Sequence, residues 1–261
     1  MMKPSPATLT DSHSHLDVAE FDIDRDAVIA RARAAGVTRQ VIPAISRAGW
    51  DALAGLCRTH DGLHPAYGLH PMYLPEHRPE HLADLADTLA RERPVAVGEC
   101  GLDYFVTDLD PDAQRRYFDG QLELAREFDL PLIVHARRAV DEVIARVRRV
   151  GGLRGVVHSY SGSYEQASQL WKAGFCLGFG GPVTYERARR LRDIVARMPL
   201  EFLLLESDAP DQPLASRRGE RNEPMHVAEV LDHVTTLRGE SRETIAAATR
   251  ANAARLFALP D

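Results

Sequence analysis

Lysine is almost missing from this chain: of 32 basic residues only Lys3 and Lys172 are lysines, and arginine supplies the rest. The imbalance reads as a coding bias rather than a functional signature. Cysteine is sparse too. Cys57, Cys100 and Cys176 are odd in number, far apart and form no CxxC pair. That excludes a disulfide framework and a paired-cysteine site, and points to a reduced, cytoplasmic setting. No apolar run approaches the ~18 residues of a membrane span. The opening MMKPSPATLT has no apolar core of the kind a secretory signal needs. Positive charge is in deficit: the net charge is −6, so a chain-wide basic field for gripping nucleic acid is excluded. A nuclease stays open, because bound cations supply positive charge locally. No glycine-rich loop follows an early strand, which argues against an open, doubly wound nucleotide-binding sheet. The late Gly178-Phe179-Gly180-Gly181 lacks the spacing.

What is present is ordinary in bulk. The 261 residues are 44% hydrophobic and 27% charged, the profile of a soluble globular protein long enough to bury a full core. No linker, low-complexity segment or fixed-period repeat divides the chain, so one domain is expected over 1–261, with a flexible N-terminal tail over 1–8. Short apolar runs alternate with amphipathic stretches. The runs predict strands near 9–15, 40–44, 65–70, 95–101, 132–135, 155–158, 176–179 and 202–206. Helical patterns follow almost every one. Asp24 is placed to cap a helix that Gly36 ends. Asp110-Pro111 opens another, with Phe118, Leu122, Ala125 and Phe128 on one stripe and Pro131 as its stop. Further helices are expected over 48–59, 79–91, 139–150, 164–173, 185–198 and 224–237, and over 242–257 after Ser241. Eight such alternations predict an α/β fold of the (β/α)8 TIM-like barrel type.

Catalysis in a barrel sits at the C-terminal ends of its strands. Those ends carry His13 and His15, His70, Glu99 with Asp103 beyond it, His135, His158, and Glu206 with Asp208. An ionisable group buried at the end of an apolar run costs several kcal/mol unless it is paired or metal-bound. His13 and His15, two apart on a strand, share a face and suit one metal ion. Four histidines with Glu99 and Asp208 form a mixed N/O set, exceeding what one tetrahedral site uses. Two divalent ions sharing a bridging carboxylate would satisfy all six. The ligand softness favours Zn²⁺, Mn²⁺, Fe²⁺, Co²⁺ or Ni²⁺ and permits Mg²⁺. Asp103 reads as a turn cap. Cys100 alternates with Glu99 and reads as a helix-facing filler. His60, His64, His77, His81, His226 and His233 read as surface residues, and Trp50 and Trp171 as packing.

The motifs DSHSHLD (11–17), YGLHP (67–71), VGECGLDY (97–104), LPLIVHAR (130–137), VVHSYSGS (156–163), LGFGGPVTY (177–185), LLLESDAP (203–210), RNEP (221–224) and NAARLF (252–257) run almost the length of the chain. With them the chain resembles the TatD family of metal-dependent deoxyribonucleases, in the amidohydrolase superfamily, and within it the YjjV-like branch. The resemblance implies a distorted barrel in which His13, His15 and Asp208 hold one metal, Glu99 bridges, and His135 and His158 hold the second. It implies that His70 and Glu206 act in catalysis or substrate contact. Many amidohydrolases bridge their metals through a carbamylated lysine. Here Lys3 lies in the N-terminal stretch and Lys172 in a helix, which leaves Glu99. Cys100 and Ser207 stand where an aliphatic residue and threonine are common in the family.

The expected reaction is phosphodiester hydrolysis of DNA, single-stranded or at ends, by a monomer using water activated between two divalent ions, Mg²⁺ or Mn²⁺ in use, with Asp208 as base. Arg221 and Arg137 are expected to hold phosphate. Arg138, Arg217, Arg218 and the backbone of Gly180-Gly181 are placed on the same rim. Three other readings compete: hydrolysis of a small ester, lactone or amide; deamination at a single zinc, which would leave Glu99 and the second histidine pair unexplained; and metal binding by a partner protein without turnover.

Overall fold

The structure, a computed structural model, describes residues 8–260, so of the tail expected over 1–8 all but Thr8 falls outside the described residues. Eight parallel strands form one sheet in sequential order: β1 (Leu9–Asp11), β2 (Val37–Pro43), β3 (Leu63–Tyr67), β4 (Ala96–Asp103), β5 (Leu132–Arg137), β6 (Gly155–Val157), β7 (Phe175–Phe179) and β8 (Leu203–Leu205). The first and last strands meet through Ser12 N–H to Leu205 O at 3.0 Å and Asp208 N–H to His13 O at 2.9 Å. The result is the expected (β/α)8 barrel.

Its helices are α1 (Arg25–Ala34), α2 (Trp50–Thr59), α3 (His81–Glu92), α4 (Pro111–Glu127), α5 (Val140–Val150), α6 (Tyr164–Lys172), α7 (Arg189–Arg197), α8 (Val227–Arg238) and α9 (Arg242–Phe257). Among the described residues, no helix is long and apolar enough to cross a membrane. The start signals for α4 and α9 act as the sequence implies: Asp110 accepts from Asp112 N–H at 2.9 Å and Ser241 from Thr244 N–H at 3.1 Å. Asp24 does not. It precedes α1 but makes no cap hydrogen bond, because Arg221 and Arg31 take its carboxylate. The helix expected to start at 185 begins at Arg189, and the one expected at 224 begins with a 3-10 turn over Pro224–His226.

Two apolar layers hold the barrel. Inside it, Val41, Ala66, Ala96, Ile133, Val156, Cys176 and Leu204 give one residue from each of β2 to β8, and Leu256, Phe257 and Leu259 from the C-terminal segment plug the floor. Each large side chain buried this way contributes about 1.5–3 kcal/mol. Outside, between strands and helices, a larger layer runs through Ile42, Val97, Leu132, Val134, Leu177 and Leu205. Cys100 lies in that outer layer, as its alternation with Glu99 implies. With the floor sealed, polar strand residues have only the opposite, C-terminal mouth to face.

Candidate metal centre

At that mouth the structure gathers His13, His15, His70, Glu99, His135, His158 and Asp208, and all but the fully buried His13 line a cavity of about 640 Å³. Glu99 is the hub, at 1% exposure. Its Oε2 faces His13 Nε2 at 3.1 Å and His15 Nε2 at 3.4 Å, and Asp208 Oδ1 faces the same two nitrogens at 3.5 and 3.7 Å. Its Oε1 faces His158 Nε2 and His70 Nε2, both at 2.8 Å, and His135 Nδ1 at 3.2 Å. The two oxygens of one carboxylate thus serve two different sets of nitrogens.

The donor chemistry fits cations. His13 Nε2 and His15 Nε2 lie 3.1 Å apart, a spacing two lone pairs tolerate only with a proton or a cation between them. Glu99 Oε2 is buried with no hydrogen-bond partner. Neighbouring groups fix which ring nitrogen is free. His15 Nδ1 meets Pro43 O at 3.2 Å and His135 Nε2 meets Asp103 Oδ2 at 2.8 Å, so the protons sit there and the other nitrogens keep lone pairs toward the centre. His70 is different. Its Nδ1 accepts from Met72 N–H at 3.1 Å, so the neutral ring carries its proton on Nε2 and donates toward Glu99. Although His70 lies within ligand distance, its tautomer makes it a donor rather than a ligand.

Electrostatics follow the same division. Burial, joined by the charge on His158, holds His13 well below the usual histidine range. Burial also takes His70 down to about 4. The same burial is the largest influence on His15 and His158 and opposes their charge, but Glu99 together with Asp208 outweighs it and lifts them to about 9 and about 10. Burial would raise Glu99, but the histidines, His158 first, hold it well below the usual carboxylate range. Asp208 is raised, with burial the main cause. The centre holds protons where cations would displace them.

The loops are held by residues the sequence reading passed over. Asp11, fully buried, accepts from Ser207 N–H (2.9 Å), Ser207 Oγ–H (2.6 Å) and His13 N–H (3.2 Å), tying the His-x-His strand to the loop of Asp208. Asn222 donates to Ser207 O at 2.7 Å and Asp211 O at 2.9 Å, so the RNEP motif clamps that loop. On α4, Gln121 pairs with both backbone groups of Leu69 (2.7 and 3.1 Å) and Gln114 with both of Asp103 (2.8 and 2.9 Å). They steady the segments carrying His70 and Asp103. Gln114 and Gln121, seven apart on the stripe of Phe118, Leu122 and Ala125, are the one signal the sequence offers for them, and it does not name their partners. Asp103 does cap a turn, accepting from Phe105 and Val106 N–H at 2.8 and 3.1 Å, but its other oxygen orients His135.

Several expected roles are redirected. Arg221 does not line the cavity. Its guanidinium forks onto Asp24 at 2.9 and 2.7 Å, reaches Glu20 O at 2.7 Å and lies over the Phe21 ring. It is spent as a buttress and is not free for phosphate. Arg217 faces Glu220 and Glu229. Gly180 and Gly181 are buried; a Cβ on Gly181 would sit 2.0 Å from Gln212 O, so this backbone packs on the next loop rather than facing substrate. Glu206 lies behind His158 at 4.0 Å from its Nδ1, accepts from Ser159 N–H at 2.5 Å, and does not line the cavity. Burial pushes it up to about 8. A Cβ on Gly178 would strike it, which is why β7 has glycine there. Arg137 does line the cavity, with its guanidinium carbon 3.7 Å from the Phe105 ring centre. His77 and His226 are not surface residues: His77 Nε2 donates to His70 O at 2.8 Å, and buried His226 pairs with Asn222. Trp50 packs as expected and donates to Gly68 O at 3.2 Å.

Comparison with known proteins agrees with this geometry. The model of the family described as "TatD related DNase" matches residues 10–258. "Uncharacterized metal-dependent hydrolase YjjV" of Escherichia coli K12 is 40% identical over 253 residues, 96% of this chain and 98% of its own. "3'-5' ssDNA/RNA exonuclease TatD" of Cronobacter sakazakii is 36% identical over 246 residues, 92% of this chain and 94% of its own. The crystal structure of YjjV, a TatD homologue from E. coli K12, superposes with a TM-score of 0.93 at 38% identity, over 97% of this chain and 99% of that one. With the barrel, the histidine–carboxylate cluster and these matches together, the chain belongs to the TatD related DNase family.

Proposed function

We propose that this protein is a metal-dependent phosphodiester hydrolase acting on DNA, using two divalent ions bridged by Glu99. One observation carries the reading: the two oxygens of Glu99 face separate sets of nitrogens. His13, His15 and Asp208 would hold the first ion, and His135 and His158 the second. Such ions, Mg²⁺ or Mn²⁺ in use, would acidify a water and draw charge from the phosphoryl oxygens. Asp208 lies on the cavity wall beside His13 and His15, 3.5 and 3.7 Å from their Nε2 atoms, which suits it to orient that water and take its proton. His70 holds its Nε2 proton at the centre, ready for an oxygen of the substrate. Asp103 orients His135 from behind, and Glu206 lies behind His158, 4.0 Å from its Nδ1. DNA as substrate is supported by the family description and by the exonuclease named among the relatives. We place the protein, as a monomer, in the reduced cytoplasm, in keeping with its free Cys57, Cys100 and Cys176.

The test is a turnover panel: 3′-labelled single- and double-stranded DNA, a small phosphodiester and neutral lactones, each with Mg²⁺, Mn²⁺ and Zn²⁺. DNA cleavage that outruns lactone hydrolysis is the expected result. Efficient lactone turnover with inert DNA would replace this reading with that of a small-ester hydrolase. Glu99→Gln should lose metal, the second ion first, measured by elemental analysis after gel filtration. Two retained ions with full activity would remove the bridge.

A further inference from the structure

Beside the catalytic cavity lies a second one of about 630 Å³, and the two share Arg137 and Ser161 in their walls. Their charges are opposite in character. The first is lined by Glu20, Glu99, Asp208 and Asp211, with Arg137 as its one arginine. The second is lined by Arg137, Arg138 and Arg190, with Asp141 and Glu142 as its carboxylates. Glu142 is already occupied, accepting from Tyr104 OH at 2.7 Å and pairing with Arg115 and Arg146, each at 2.8 Å. Asp141 accepts from Gln166 Nε2 at 2.7 Å. The arginines, by contrast, are held without being neutralised. Arg137 and Arg138 lie on the Phe105 ring, 3.7 and 4.7 Å from its centre, and Arg190 donates to Ser161 O at 2.9 Å. The face of an aromatic ring attracts a guanidinium without consuming its N–H donors, which stay available to an acceptor. Phe105 is 46% exposed, so the two guanidinium groups on its ring stand at the solvent-facing wall of the chamber.

We propose that this second chamber binds the phosphates flanking the scissile bond of a single-stranded polynucleotide, with Arg138 and Arg190 as contacts and Phe105 as their positioning residue. The inference rests on the phosphodiesterase reading and adds a chain-length requirement to it. Arg137 stands two residues after His135 on β5, about 7 Å along the strand, so a backbone whose scissile phosphate lies at the histidine cluster passes next to Arg137 and then enters the second chamber. The acidic catalytic cavity takes one phosphate once cations occupy it, whereas the arginine chamber takes the following ones without them.

The experiment uses Mn²⁺-loaded protein, wild type and the Arg138→Ala/Arg190→Ala double variant, with single-stranded DNA of increasing length beside bis(p-nitrophenyl) phosphate. KM should fall with strand length in the wild type. In the double variant it should rise about tenfold for long strands, with a much smaller change for the small diester. Two lost phosphate contacts should flatten the log–log salt dependence by about 1.4. Arg138→Lys/Arg190→Lys should restore the slope, because a phosphate contact counts charge; this separates a contact from damage to the fold. Phe105→Ala should raise KM for long strands while leaving the salt slope in place. Strand cleavage with a length-independent KM, or an unchanged salt slope in the double alanine variant, overturns the chamber and leaves the phosphodiesterase reading standing. Loss of all phosphodiester turnover in the wild type would instead refute that underlying reading.

Discussion

Asparagine at position 103 preserves shape and removes a single property, the ability of both side-chain termini to accept. Asp103 uses one oxygen for the N–H groups of Phe105 and Val106 and the other for His135 Nε2–H. An asparagine can satisfy only one side. If its oxygen stays on the turn, its NH2 meets His135 Nε2, and the ring must move its proton to Nδ1, the nitrogen facing Glu99 and His158. That destroys the lone pair a second cation needs. If the amide flips, two backbone donors meet a third donor. Partners of this kind are worth about 10–100-fold in metal affinity, so Asp103→Asn should weaken the second ion by about 1.4–2.7 kcal/mol. The ion we propose for His13, His15 and Asp208 should be nearly unaffected. The assay is a competitive chelator titration with Mn²⁺ or Zn²⁺, read beside turnover as a function of metal concentration. Higher metal should restore much of the activity. If the variant binds both equivalents as tightly as the wild type, His135 does not depend on Asp103 for its tautomer and the reasoning fails.

Asp208→Asn should abolish turnover with little change in the melting curve, since the amide keeps the shape and one oxygen but cannot take a proton; near-native activity would remove it as the base. Arg221→Ala should lower Tm, by freeing Asp24 and the α1 end, without changing KM for oligonucleotides; a raised KM with intact stability would return it to the substrate. Glu142→Gln should matter in acid. Pairing with Arg115 first, against some opposing burial, holds Glu142 down at about 2 from its ordinary 4.5. Its contribution is therefore complete above the ordinary range and lost as pH falls from there toward 2. After allowance for exposure, the wild-type advantage near neutrality should be about 1 kcal/mol and should vanish by the lower end of that window. An advantage that persists there would deny the ion pair its role.

The barrel and the centre were legible because six of the eight strands, all but β2 and β7, end in residues their apolar neighbours do not explain. His13, His15, Glu99, His135, His158 and Asp208 converge because a barrel brings all its strand ends to one mouth. His70 reached the same place, but its role depended on Met72 N–H, a backbone contact that no side-chain pattern encodes. Arg221 misled for a related reason. Motif and loop placed it on the correct side, but the guanidinium was claimed by Asp24, which the sequence presented as a helix cap. Position along a strand is written in the period of the chain. Competition between a long side chain's possible partners is settled only when all of them are in place. The buried glutamines of α4 and the Asp11–Ser207 link were hidden likewise, since their partners are backbone groups or lie far away in sequence.

The link between Asp11 and Ser207 spans 196 residues and joins the first strand to the loop after the last. Until that ring closes, His13 and His15 have no Asp208 beside them, and the floor residues Leu256, Phe257 and Leu259 have no cylinder to plug. Closing so long a loop carries an entropic cost that local contacts cannot offset in stages. The earlier βα units can therefore form as the chain emerges, while both the floor and the mouth wait for its far end. Acquisition of tight metal binding should then coincide with the last step of folding. A cation added during refolding would report ring closure rather than collapse, and would stabilise only chains that had completed it.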